Sequence, residues 1–143
     1  MDDERERAVT LGDIARLQAQ AHEEEDALAL YHEELTIFQQ LGDVCAQAVT
    51  LLDLGDLHLL TGRDFDAERM YQDSLAMFRQ SCCEEGIYAA QARLGRLAMR
   101  QGQRAKAAQL LQEARQGLER LGFAPWVASL GQLMGQASPQ APS

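Results

Sequence analysis

Apolar residues recur along this chain at helical spacing, in blocks that come as pairs around a glycine-centred break. Val49, Leu52, Leu54, Leu57, Leu59 and Leu60 predict a helix over roughly residues 44–61. Thr61-Gly62-Arg63-Asp64 ends it: Gly62 suits the left-handed residue that closes a helix, and Asp64 is placed to cap the next one. The face of that second helix is Ala67, Met70, Tyr71, Leu75 and Phe78. The same grammar returns as a helix over about 85–101, a Gln101-Gly102-Gln103 break, and a helix over 104–121 with Ala107, Leu110, Leu111, Ala114, Leu118 and Leu121 inward. In the first pair His22 stands where Gly62 and Gly102 stand in the others. Leu41-Gly42-Asp43, Ser81-Cys82-Cys83 and Leu121-Gly122-Phe123 separate the pairs, and Ala124-Pro125-Trp126 opens a seventh helix that runs to about 136, proline favouring a first turn.

These blocks superpose at a spacing of 40 residues. Ala27, Ala67 and Ala107 form one series; Tyr31, Tyr71 and Leu111 a second; Phe38, Phe78 and Leu118 a third; Leu54, Leu94 and Met134, each followed by glycine, a fourth that begins at Ile14-Ala15. Self-similarity at this length is the mark of stacked supersecondary units that bury their apolar faces on one another. The chain is therefore expected to be all-α: a right-handed α-solenoid of antiparallel helix pairs. A single domain over 1–136 holds repeats at about 8–42, 43–82 and 83–122 and a C-terminal capping helix at 124–136, about seven helices in all, with a disordered tail at 137–143.

Charge is distributed unevenly over this frame. The net charge is −9, which disfavours nucleic acid or an anionic membrane as a partner. Residues 1–40 carry 11 acids and 3 arginines and residues 41–82 carry 7 and 3, whereas residues 83–143 carry 4 acids against 7 bases. An acidic-to-basic axis follows, and with it a second reading in which chains assemble head to tail as homo-oligomers. Cys45, Cys82 and Cys83 are odd in number and include an adjacent pair, which does not read as a disulfide framework and points to a reducing, cytoplasmic setting. Any redox role for Cys82 and Cys83 at their inter-repeat turn competes with simple packing. No apolar run approaches a signal core or a membrane span.

The pattern resembles the tetratricopeptide repeat family, whose signature combines Leu-Gly on a first helix with Ala-x-x-x-aromatic on a second. The second repeat offers Leu51, Leu54-Gly55, His58, Ala67 and Tyr71; the third offers Gln91, Leu94-Gly95, Ala98, Ala107 and Leu111; the first offers Leu11, Ile14-Ala15, Gln18, Ala27 and Tyr31. The period exceeds the usual 34 or so residues and the closing proline is absent. Both departures match the long-helix variant found in kinesin light chains, polarity adaptors and bacterial signalling regulators. HEAT-type repeats share the length but generally lack the paired signature. The resemblance implies a protein–protein interaction module with no catalytic role and no cofactor, whose first helices line a concave groove. It points to Asp13 and Arg16 in the first repeat; Leu52, Asp53, Asp56, Leu59 and Leu60 in the second; and Ala92, Arg93, Arg96, Met99 and Arg100 in the third.

Arg93, Arg96 and Arg100 fall on one stripe of one helix and suit an acidic peptide. Asp53 and Asp56, one period earlier, are placed to neutralise Arg93 and Arg96 instead, leaving Arg100, aligned with Leu60, as the arginine most available to a partner. Catalysis has little support. His22, His32 and His58 lack partners at metal-ligand spacing, so no metal site is expected, and His58 reads as a packing residue. Glu23-Glu24-Glu25-Asp26 reads as a solvated helix start favoured by the macrodipole. No nucleophile motif or phosphate-cradling loop is present.

Overall fold

The computed structural model describes residues 2–122, which form six α-helices and, among the described residues, no strand. They are α1 (Asp2–Gln20), α2 (Glu24–Leu41), α3 (Val44–Leu60), α4 (Asp64–Gln80), α5 (Glu84–Arg100) and α6 (Arg104–Arg120). The expected helices over 44–61, 85–101 and 104–121 are α3, α5 and α6 to within a residue at each end. The expected capping helix at 124–136, with Met134, and the tail at 137–143 lie outside the described residues. None of the described helices is long and apolar enough to cross a membrane.

The backbone repeats at half the sequence period. Helices α2 to α6 begin at residues 24, 44, 64, 84 and 104, and a left-handed residue precedes each by two. These are His22 (φ 64), Gly42 (φ 71), Gly62 (φ 78), Cys82 (φ 56) and Gly102 (φ 77), with Gly122 (φ 86) after α6. The N–H of the following residue then reaches back five residues: Glu23 to Gln18, Asp43 to Phe38, Arg63 to His58 and Gln103 to Ala98, at 2.8–3.1 Å. This closes otherwise orphaned helix-end carbonyls. The predicted cap at Asp64 is corrected: Arg63 is the N-cap of α4 with no side-chain bond, and Asp64 is the first helical residue, where its charge meets the helix dipole. Asp43 does cap α3, accepting from the Ala46 N–H at 3.0 Å.

His22 and Cys82 hold, with side chains, a backbone conformation that costs an L-residue roughly 1–2 kcal/mol. Glycine would remove that strain while adding about 0.5–1 kcal/mol of unfolded-state entropy. His22 is exposed and its 3.7 Å approach to Glu24 contributes little. His22→Gly is therefore expected to stabilise the protein by about 0.5–1 kcal/mol in urea unfolding; a loss of stability would show the turn to be misassigned.

The helices fall into two compact units, Met1–Ser81 and Cys82–Ser143. In the first, α1 packs on α2, α2 on α3 and α3 on α4. Its core joins Ala15, Ala19, Ala27 and Tyr31 to Leu54 and Leu57, with a second cluster of Ala8, Ile37 and Phe38. In the second unit α5 packs on α6 around Ala92, Ala98, Ala107, Leu111, Ala114 and Leu118. The three series at Ala27, Tyr31 and Phe38 and their period mates are buried throughout. The fourth breaks at one end: Leu54 and Leu94 are buried, but Ile14 is 41% exposed while its neighbour Ala15 is fully buried. The Leu54 face of α3 is covered by α2, whereas no described helix precedes α1.

Candidate functional site

Unit one carries a cavity of about 280 Å3 between its two first helices. Arg5, Val9, Asp13 and Arg16 follow one another at helical spacing along one face of α1. Ala46, Val49, Thr50 and Asp53 do the same on α3, and Glu34 and Phe38 of α2 complete the lining. Val9 and Val49, one sequence period apart, are 51% and 45% exposed, so the cavity presents apolar side chains to solvent. The wall is tied across by charge. Arg16 donates to Asp13 at 3.0 Å on its own helix and to Asp53 at 3.3 Å on α3, while Arg5 pairs with Asp43. Partial burial works against the Arg16 charge, yet Asp53 and Asp13 together hold its proton above the ordinary arginine value. Asp43 lies below the usual carboxylate range, because the Ala46 N–H and then Arg5 stabilise its charge.

Glu34 is the least expected member. It is only 5% exposed, and its carboxylate accepts from the Thr50 hydroxyl, whose oxygen also lies 3.1 Å from the Ala46 carbonyl oxygen. Glycine at position 12 makes the room: a Cβ there would stand 1.7 Å from Glu34 Oε2. One and two periods later the same two positions hold Leu52 with Ser74, and Ala92 with Ala114. The first pair has thus exchanged bulk on the first helix for a carboxyl on the second. Burial, with the nearby Asp53 and Asp13 charges, raises the Glu34 pKa, against the opposing Thr50 bond and Arg16.

A folded-state pKa above the unfolded one means that the folded chain holds an extra proton. That contribution is fully present below the unfolded value and is lost as pH rises through the folded value. Glu34→Gln removes the titration. Urea midpoints compared from pH 4 to pH 7 are expected to rise with pH more steeply in the variant than in wild type; parallel curves would show that folding leaves the Glu34 pKa unshifted.

The sequence-derived groove residues separate into several groups. Asp13, Arg16 and Asp53 meet in the cavity. Leu52 does not line it: it is 4% exposed and belongs to the core, and Ala92 is buried at the same position of α5. Asp56 accepts the Tyr71 hydroxyl at 2.5 Å, Leu59 is half-buried and Leu60 is exposed. In the second unit Met99 packs against the α5–α6 core, and Arg93 donates to the Ala89 carbonyl at 3.4 Å. Arg96 and Arg100 are exposed, and Arg100 is not without an interaction partner. Sequence reasoning missed Glu34, Thr50, Val9 and Val49. The signal for Glu34 was present as an acid in register with Ser74 and Ala114, opposite a glycine in register with Leu52.

His58 is buried and its pKa lies below the usual histidine value because of that burial, in keeping with a packing role. Among the described residues no three histidine, cysteine or carboxylate side chains converge as metal ligands. Cys82 is a free, exposed thiol.

Three solved structures share this fold. BtubC (BKLC) from P. vanneervenii superposes with a TM-score of 0.84 at 21% identity, over 94% of this chain and 55% of that one. The chain thus spans about half the length of that relative. Two structures of a putative kinesin light chain from Podosopora anserina, with nearly identical TPR-like repeats, give a TM-score of 0.78 each. One, a point-substituted form, is 17% identical over 96% of this chain and 67% of that one, and the other is 16% identical over 93% and 66%. At these identities the likeness is one of fold. No curated protein matches the chain. The sequence profile of the tetratricopeptide repeat matches residues 6–80, more than half of the length, so the chain belongs to the tetratricopeptide repeat family.

Proposed function

We propose that this chain is a protein–protein interaction module that holds a segment of a partner polypeptide in the cavity between α1 and α3. The observation that carries the reading is the pair Val9 and Val49, half-exposed apolar side chains one period apart above the charged ladder of Arg16, Asp13 and Asp53. Two isolated surface valines are ordinary, but two in register on facing helices of one concavity form an anchor point for apolar side chains of an extended or helical segment. The ladder supplies both signs of charge beside it, which favours a partner that alternates apolar and polar positions and sets register more than affinity. The reading is one of binding and not of turnover, in line with the general scaffolding role of tetratricopeptide repeats.

Titration of a randomised nine-residue peptide mixture into protein labelled at the valine methyls tests it. The Val9 and Val49 resonances are expected to move together and saturably, and Val49→Asp to abolish the movement while leaving the melting temperature within a few degrees. Methyl shifts confined to other valines, or none, would discard the groove.

A further inference from the structure

The third helix pair departs from the first two at four positions together. Where α1 and α3 carry Ala8 and Ala48, α5 carries Tyr88; where they carry Leu11 and Leu51, α5 carries Gln91. On the second helices Ile37 and Met77 give way to Gly117, and Gln40 and Gln80 to Arg120. All four departures line one cavity of about 400 Å3 within the α5–α6 pair, rimmed by Glu113 and Gln116.

Tyr88 and Gly117 are an exchange of bulk, since a Cβ on Gly117 would stand 2.2–2.3 Å from the Tyr88 ring. Gln91 has no such explanation. It is 6% exposed, its Oε1 is buried with no hydrogen-bond donor among the described residues, and its Nε2 reaches Glu113 Oε2 only at 3.4 Å. The reverse amide orientation would set Oε1 against the Glu113 carboxylate, so the oxygen is the orphan. A buried carbonyl left unmet is destabilising, and leucine, present at both other copies of this position, would avoid the penalty.

We propose that this cavity is a binding site for a guanidinium group, an arginine side chain presented by a partner polypeptide. The inference is independent of the α1–α3 groove. Three features of the cavity select that chemistry. Among the described residues, Gln91 Oε1 lacks a donor, and Glu113 at the rim accepts only two long contacts of 3.4 Å, from the neutral amides of Gln91 and Gln109. Tyr88 supplies an aromatic wall that already accommodates a guanidinium, Arg120, at 5.9 Å from the ring centroid. Arg120 itself is committed: it donates to the Tyr88 hydroxyl at 2.6 Å and meets Glu84 at 3.7 Å, which leaves Glu113 without an ion-pair partner among the described residues. A planar group with several fixed N–H donors can serve a carbonyl oxygen and a carboxylate together.

The probes are N-acetyl-arginine methylamide and its norleucine and glutamate counterparts, titrated against the Gln91 side-chain amide and Tyr88 ring resonances. The arginine probe is expected to shift both saturably and the other two to shift neither. Glu113→Gln should weaken the arginine probe by about tenfold with an unchanged melting temperature, the loss of one charge-assisted contact. Gln91→Leu should abolish the saturable Tyr88 shift while raising the melting temperature, a combination that loss of fold cannot produce. Equal arginine binding by wild type and Gln91→Leu would overturn the proposal, as would an equal norleucine shift, which would mark mere apolar filling. No response to any probe, with water cross-peaks at the Gln91 amide, would show a hydrated cavity and nothing more.

Discussion

Leu54→Ala is expected to destabilise the first unit by about 2–5 kcal/mol, whereas Ile14→Ala, at the corresponding position of α1, should cost less than about 1 kcal/mol. Leu54 is fully buried and contributes to the same cluster as Ala15, Tyr31 and Leu57, so truncation removes apolar contacts and leaves a cavity that the flanking helices cannot close. Ile14 is 41% exposed, and its truncation mostly returns surface to water that already reached it. The contrast isolates the effect of a preceding second helix, because residue position and helix type are otherwise matched. Against a total stability of about 5–15 kcal/mol for a domain, the larger figure is enough to populate the unfolded state near physiological temperature. Equal losses from the two variants in urea unfolding would mean that α1 is covered as α3 is, and that the Ile14 face is not an open end of the described fold.

The fold was largely readable because burial in a helix pair is local and periodic. Ala27, Ala67 and Ala107 are buried for one reason, the close approach of paired helices, and that reason recurs every 40 residues, so the register announces itself. The half-period was harder to see. The left-handed turns recur every 20 residues, but two of the six are filled by His22 and Cys82 in place of glycine, so residue identity conceals what the backbone repeats. The sites were less readable for a related reason. A family pattern marks positions, not which copy has been altered, and Leu52 was placed in the groove although its copy of that position is packed into the core. The informative positions are those where one copy differs from its period mates in two coupled places: Gly12 with Glu34, and Gly117 with Tyr88. Those couplings are distances across a helix pair, which periodicity brackets but does not measure.

Gly55→Leu is the second substitution for which a large effect is expected, a loss of about 3 kcal/mol or more, at the upper end of what overpacking a core costs. A Cβ at position 55 would lie 2.5 Å from Tyr71 Cε1, 2.8 Å from Cδ1 and 3.2 Å from Cζ. The ring has nowhere to go: Tyr71 is fully buried, and its hydroxyl is held by Asp56 on the same helix as Gly55. To admit leucine the α3–α4 pair must separate, which would also draw the Ser74 hydroxyl from the Ala48 carbonyl, now 2.7 Å apart. Gly95 is the informative comparison. A Cβ there meets Leu111 Cγ and Cδ2 at 2.8 Å, and Leu111 is as fully buried as Tyr71, so a packed side chain must shift, while alanine in place of a mid-helix glycine gains about 1 kcal/mol in helix propensity. Gly95→Ala is therefore expected to cost at most about 2 kcal/mol, less than Gly55→Leu. Thermal and urea unfolding of the two variants side by side provide the check. Should Gly55→Leu melt with wild type, the close approach of α3 to α4 at Tyr71 would be wrong, and with it the physical reason for a small residue after Leu54.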